Sequence, residues 1–220
     1  MVELIRGLSA ETVRANLHRV RAEIEETGRD PSEVEILAAV KYVADEELQV
    51  LAEAGIELVG ENRAQDLARR ADAYRGRFTW DFIGALQSRK VRSVLPYVRY
   101  IQSVASDSAL RQLERFGEER TEILVEVNVS GEEGKAGVSP GELDSFLERC
   151  PVRVVGLMTM PPLATDPERS RVYFAALRRL AERHRLRHLS MGTSQDYLVA
   201  IQEGATIVRL GTTLYGPRAS

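Results

Sequence analysis

The sequence predicts one α/β domain folded as a TIM-type (β/α)8 barrel with an extra helix at its N-terminal end. Three observations carry that expectation. Eight short apolar runs alternate with segments of helical period, the order that builds a parallel sheet. Several runs are almost wholly apolar, as strands buried on both faces must be. The first run is not followed by the glycine-rich turn of a dinucleotide-binding open sheet, and 220 residues suit a single closed barrel.

The extra helix comes first. Ser9 is a capping residue, and Val13, Leu17, Val20 and Ile24 recur behind it at helical spacing. Gly28-Arg29-Asp30-Pro31 then stops it. Strands are expected over 35–41, 57–62, 79–86, 100–104, 122–129, 152–158, 188–191 and 206–210. Helices are expected between them over 45–54, 63–74, 88–97, 107–116, 141–150, 168–184 and 194–203. Ser139-Pro140-Gly141-Glu142 adds a start signal of its own, with serine at the cap and glutamate three residues on. No linker or low-complexity tract interrupts the pattern, so one domain over 1–220 is expected. The proline-rich stretch 161–167, after the sixth strand, is the least regular and reads as a candidate lid.

Composition narrows the function. A hydrophobic fraction of 44% and a charged fraction of 29% describe an ordinary globular chain. A net charge of -3 offers no reason to expect nucleic acid or membrane as a partner. No apolar run is long enough to cross a bilayer and no signal peptide is evident, so a cytoplasmic location is expected. A single cysteine, Cys150, excludes an internal disulfide framework. Of the thirty Lys and Arg residues only Lys41, Lys90 and Lys135 are lysines. Arginine cannot form an imine, so covalent amine chemistry falls to these three side chains.

In a barrel of this kind the active face lies where the strands end, and phosphate sites favour the loops after strands seven and eight. Strand one ends in Lys41 and strand two in Asn62. Gly192-Thr193-Ser194 follows strand seven, with Ser194 expected to open the next helix, and strand eight gives Arg209-Leu210-Gly211-Thr212. Alternation puts Leu37, Ala39 and Lys41 on one face and Ile207, Arg209 and Gly211 on another. Closure makes strands one and eight neighbours, so Lys41 and Arg209 are expected to face one mouth. Ser194, Gly211 and Thr212 would add hydroxyls and free backbone N–H groups for an anion. Each residue also has a plainer reading: a solvated strand-end lysine, a helix cap, or an arginine paired with Glu61. Their coincidence points to a barrel for a phosphorylated ligand and leaves the ligand unnamed.

These residues lie in motifs that resemble those of the pyridoxal phosphate homeostasis protein family over nearly the whole chain. The motifs are Ala39-Val40-Lys41, Gly60-Glu61-Asn62, the run from Trp80 to Lys90, and Asn128-Val129-Ser130. Lys135-Ala136-Gly137, Gly156-Leu157-Met158, the run from Ser190 to Asp196, and Val208-Arg209-Leu210-Gly211-Thr212 complete the set. The resemblance implies a fold similar to the N-terminal domain of alanine racemase. It implies that Lys41 carries pyridoxal 5'-phosphate as a Schiff base, with Arg209 near the pyridine nitrogen. Ser194, Gly211 and Thr212 would hold the phosphate, and Asn62 and Met191 would line the ring pocket. The implied role is intracellular vitamin B6 homeostasis without substantial turnover, so the chain is expected not to be an enzyme. Alanine racemases add a C-terminal β-domain that supplies a tyrosine, whereas this sequence stops at Ser220, just after strand eight. The alternatives are a racemase-like enzyme using the same cofactor and a Schiff-base aldolase barrel without it. Pyridoxal phosphate and its apo-enzymes are the expected partners, and a monomer or weak homodimer is the expected assembly. Asp81 stands where histidine is common and Arg89 where asparagine is common, departures expected to alter the pocket rim.

Other signals carry less. Gly131-Glu132-Glu133-Gly134-Lys135-Ala136 lacks the spacing and the Ser/Thr of a P-loop. His184 and His188 have no cysteine or carboxylate partners in sequence, so no metal is expected. Cys150 continues the apolar series Leu143, Phe146, Leu147 and reads as core packing.

Overall fold

The structure, a computed structural model, describes residues 4–216; the outermost residues of the expected 1–220 domain, 1–3 and 217–220, lie outside the described residues. After the N-terminal helix α1 (Ala10–Glu26), strands and helices alternate. They run β1 (Glu35–Ala39), α2 (Leu48–Glu53), β2 (Leu58–Glu61), α3 (Ala64–Ala73), β3 (Thr79–Phe82) and α4 (Val91–Val94). Next come β4 (Tyr100–Val104), α5 (Asp107–Phe116), β5 (Glu122–Glu126), α6 (Leu143–Glu148), β6 (Arg153–Met158) and α7 (Arg171–Arg183). Last come β7 (His188–Thr193), α8 (Tyr197–Gln202), β8 (Ile207–Leu210) and α9 (Thr212–Tyr215). The strands close in order from β1 round to β8, all parallel, as the alternation predicts. The closing seam pairs Glu35 with Ile207 and runs to Ala38 opposite Leu210.

Ser9 caps α1 as expected, accepting from the Thr12 N–H at 3.3 Å, and Val13, Leu17, Val20 and Ile24 are all buried. The larger apolar cluster lies between strands and helices, and a smaller one inside the barrel holds Leu37, Tyr100, Leu124, Val155, Met158 and Ile207. The interior is not wholly apolar. Asp81, Gln102 and Ser190 are fully enclosed or nearly so, and Arg209 is 6% exposed.

The differences from the expected elements concentrate at strand ends. β1 ends at Ala39, so Lys41 begins a turn closed by the Val43 N–H on the Val40 carbonyl at 3.0 Å. β3 ends at Phe82, after which Gly84 presses on the Asn62 backbone so closely that a Cβ could not be placed there. β7 runs further than expected because it bulges: Ser190 faces Ile207, but Thr193 rather than Gly192 faces Arg209. Gly192 absorbs the extra residue at φ +91°, a conformation that side chains other than glycine disfavour.

Ser194 does not open a helix. Asp196 captures the Thr193 N–H at 2.8 Å and the Thr193 hydroxyl at 3.1 Å, and this turn delays α8 to Tyr197. The short helix α9 has no counterpart among the expected elements. Its anchor is Asn16 of α1, whose amide donates to the carbonyls of Leu214 at 3.0 Å and Gly216 at 3.1 Å.

Candidate functional site

A cavity of about 470 Å³ opens at the C-terminal ends of the strands, within the usual size of a small-molecule site. Of the seven residues expected there, Lys41, Asn62, Arg209, Gly211 and Thr212 line it. Ser194 stands behind the Gly211 wall, its hydroxyl accepting from the N–H groups of Gly211 at 3.1 Å and Thr213 at 3.2 Å. Met191 is not brought to the cavity. Its neighbour Ser190 reaches Arg209 inside the barrel, so alternation turns Met191 outward, where it is fully buried in the strand–helix core.

Lys41 is half-buried, its amine 4.6 Å from the centre of the Tyr42 ring. It makes no ion pair among the described residues, whereas Lys135 is held by Glu132. The turn that presents Lys41 is fastened by Arg70. This buried guanidinium donates to the carbonyls of Val40 at 2.9 Å and Val43 at 2.7 Å, on either side of Lys41-Tyr42. It also meets Asp45 at 2.8 Å and the buried carboxylate of Glu61 at 2.6 Å. The other Glu61 oxygen accepts from the N–H groups of Asn62 at 2.6 Å and Arg63 at 3.0 Å. Glu61 thus pairs with Arg70 and not with Arg209, and one buried ion pair shapes both the Lys41 turn and the Asn62 loop.

Arg209 has no carboxylate within hydrogen-bonding distance among the described residues. Its guanidinium donates to the Ser190 hydroxyl at 2.6 Å, the Thr159 carbonyl at 2.9 Å and the Met160 sulfur at 2.8 Å. Burial pushes its pKa down to about 10, opposed by the more distant charges of Glu126 and Asp196. It therefore stays cationic at neutral pH, a fixed positive charge beside the cavity. Glu126, at the end of β5, is 9% exposed and lines the same cavity, its carboxylate without a hydrogen-bond donor among the described residues. Burial raises its pKa above the ordinary carboxylate value, with the charge of Arg209 opposing. Tyr215 completes the wall and donates to the Ala39 carbonyl at 3.2 Å.

Sequence reasoning missed Glu126 and Arg70. The first had a signal: it shares the inward parity of Leu124 and ends a strand on the active face. Arg70 had none, because its partners come from loops far apart in sequence. The two departures from the family motif also fall elsewhere than the rim. Asp81 is enclosed within the barrel, and Arg89, exposed in a short 3-10 turn over Ser88–Lys90, bonds Gln87 at 3.1 Å.

The remaining expectations can be placed. His184 pairs with Asp144 at 3.0 Å, while His188 lies near Tyr100 and Thr206, and no group of three metal-ligating side chains occurs among the described residues. Cys150 is half-buried, its thiol pushed up to about 11 by burial. No helix among the described residues is long and apolar enough to cross a membrane.

Comparison with known proteins agrees with this fold. Residues 8–219 match the family described as alanine racemase, N-terminal domain. A pyridoxal phosphate homeostasis protein of Aquifex aeolicus is 37% identical over 224 residues, covering 96% of this chain and 98% of that protein. The structure of PipY from Synechococcus elongatus, solved with PLP bound, superposes with a TM-score of 0.77 at 28% identity, covering 93% of this chain and all of that one. An alanine racemase from Corynebacterium glutamicum shares the fold at 16% identity and a TM-score of 0.74, this chain covering 65% of its length. With its matched domain spanning nearly its whole length, the chain belongs to the pyridoxal phosphate homeostasis proteins, within the alanine racemase N-terminal domain family.

Proposed function

We propose that this chain binds pyridoxal 5'-phosphate through a Schiff base on Lys41 and holds it for vitamin B6 homeostasis in the cytoplasm, without substantial turnover. The observation that carries the reading is one cavity lined by a lysine free of ion pairs among the described residues and by a buried, permanently charged arginine. When bound, the cofactor supplies an aldehyde that condenses with the lysine amine to a C=N bond with loss of one water. The chain does the rest. Arg70 and Glu61 hold the Lys41 turn, and Asn62 presents an amide at the cavity wall. The Ser194 hydroxyl and the Gly211 N–H, bonded to each other at 3.1 Å, would exchange that bond for a phosphate beside the Thr212 hydroxyl, and Arg209, itself buried, keeps a positive charge at the cavity wall. A guanidinium beside a pyridine nitrogen disfavours its protonation and so weakens the ring as an electron sink. That suits storage and delivery, with pyridoxal-phosphate-dependent apo-enzymes as the recipients.

Support comes from the family's name and from PipY with PLP bound. Incubation with pyridoxal phosphate, borohydride reduction and peptide mass mapping provide the test. The expected result is a pyridoxyl group on Lys41 and its loss in Lys41→Ala. A label spread over several lysines, or none, overturns the assignment.

Glu126 favours a second reading, that of a weak racemase-like enzyme, because a buried carboxylate without a donor is an acid–base candidate facing the same cavity. Exchange of an amino acid's α-proton for deuterium, dependent on both Lys41 and Glu126, would support it. No exchange above the free cofactor would leave the carrier reading standing.

A further inference from the structure

A continuous line of polar contacts runs down the inside of the barrel from Arg209 to the opposite opening. Arg209 donates to the Ser190 hydroxyl at 2.6 Å, and Ser190 donates to Gln102 Oε1 at 2.6 Å. Gln102 Nε2 donates to Asp81 Oδ2 at 2.7 Å. Arg99 closes on the same carboxylate at 3.1 and 2.8 Å, the Tyr100 N–H adds a contact at 3.3 Å, and Arg99 continues to Glu35 at 2.7 and 3.0 Å. Every donor between Arg209 and Asp81 points the same way. The hydrogen-bond partners of Asp81 among the described residues are all N–H donors, so a proton on the carboxyl would find no acceptor among them. Burial pushes the Asp81 pKa up, but the Arg99 guanidinium and the Gln102 amide oppose the shift.

That polarity follows from one residue. The carboxylate can only accept, so it turns the Gln102 amide nitrogen toward itself and the amide oxygen toward Ser190. Ser190 must then spend its single proton on Gln102, which leaves its lone pairs for the guanidinium. We propose that Asp81 is a positioning residue for Arg209, acting through Gln102 and Ser190 from the far side of the barrel. The consequence for ligand binding rests on the cofactor reading above; the consequence for Arg209 itself does not.

An amide at position 81 reverses the chain. In Asp81→Asn the new side-chain nitrogen would point at Gln102, Gln102 would flip, and its nitrogen would donate to Ser190. Ser190 would then accept from both Gln102 and Arg209, and its own buried proton would lose its acceptor, turning the hydroxyl away from the line that holds Arg209. Removing the Ser190 hydroxyl removes that unmet donor, so a double-mutant cycle separates relay from simple structural damage. The variants are Asp81→Asn, Ser190→Ala and the double mutant. One readout is the dissociation constant for pyridoxal 5'-phosphate from visible absorbance titration. The other is the guanidinium 15N resonance of Arg209 in ligand-free protein.

Asp81→Asn is expected to weaken binding roughly tenfold when Ser190 is present, the scale of a lost hydrogen bond to a charged group. In the Ser190→Ala background the same change should have less than about a twofold effect. The Arg209 resonance should follow the same pattern. Equal effects in both backgrounds overturn the proposal, because Asp81 would then act only through Arg99 and general stability. Should Asp81→Asn not fold, Gln102→Met cuts the chain one link nearer with similar volume, and the same cycle applies. If the unmodified protein binds no pyridoxal phosphate, the cofactor reading fails, and the Arg209 resonance alone decides the relay.

Discussion

Arg70 shows how much of the setting of Lys41 comes from a residue that does not line the cavity. Its guanidinium joins two carbonyls flanking Lys41 to the carboxylates of Asp45 and Glu61, and both it and Glu61 are buried. Removing one partner of such a pair leaves an uncompensated charge in the interior. Arg70→Ala is therefore expected to lower unfolding free energy by about 3–5 kcal/mol in denaturant titration. It should also weaken pyridoxal phosphate binding by freeing the Lys41 turn, and unchanged stability would show that Glu61 finds another donor. At this scale the sequence was legible where a strand end carries its residues to the cavity, as for Lys41, Arg209 and Gly211. Met191 was misplaced because a family motif names neighbours without saying which way each one faces. Here Ser190 and not Met191 points inward.

Among the elements, β7 and the turn after it depart furthest from simple periodicity. A bulge inserts one residue opposite β8, and an Asx-type capture of Thr193 by Asp196 delays α8 by three residues relative to the expected start. Such bulges leave no signature in hydrophobic period, which is why Ser194 looked like a helix cap. A Cβ at Gly192 would lie 2.6 Å from that of Ala200, on a backbone at φ +91°. Gly192→Ala is expected to cost on the order of 1–3 kcal/mol, read as a lower melting temperature. The start of β7 supplies a pH dependence. Burial holds the His188 pKa below its ordinary value, with the charges of Arg187 and Arg99 acting the same way and Glu35 and Glu122 opposing. As pH falls below about 6.5 the unfolded chain takes up the proton before the folded one, so stability drops. His188→Gln should flatten the stability profile between about pH 6.5 and the lower folded value. An unaltered slope would mean that His188 titrates alike in both states.

At the scale of the whole molecule, barrel closure was legible because eight buried strands in alternation admit few alternatives. The register of the seam, the bulge and α9 were not, since they depend on contacts between chain ends. α1 is the clearest case. Its apolar face was plain in the sequence, but its polar Asn16 serves α9, holding two carbonyls beside the cavity wall. Asn16→Ala should cost about 1–3 kcal/mol by leaving those buried acceptors unmet. It should also speed hydrogen exchange in α9 before that of the barrel strands.

The pairing of β1 with β8 gives the molecule a chronology. Lys41 leaves the ribosome long before Arg209, and no chain that ends between them holds both in one place. A ligand that needs the two together can reward only the finished ring, and it does so in proportion to the logarithm of its concentration. Added pyridoxal phosphate is therefore expected to slow proteolysis of a chain carrying both residues and not of one cut before β8.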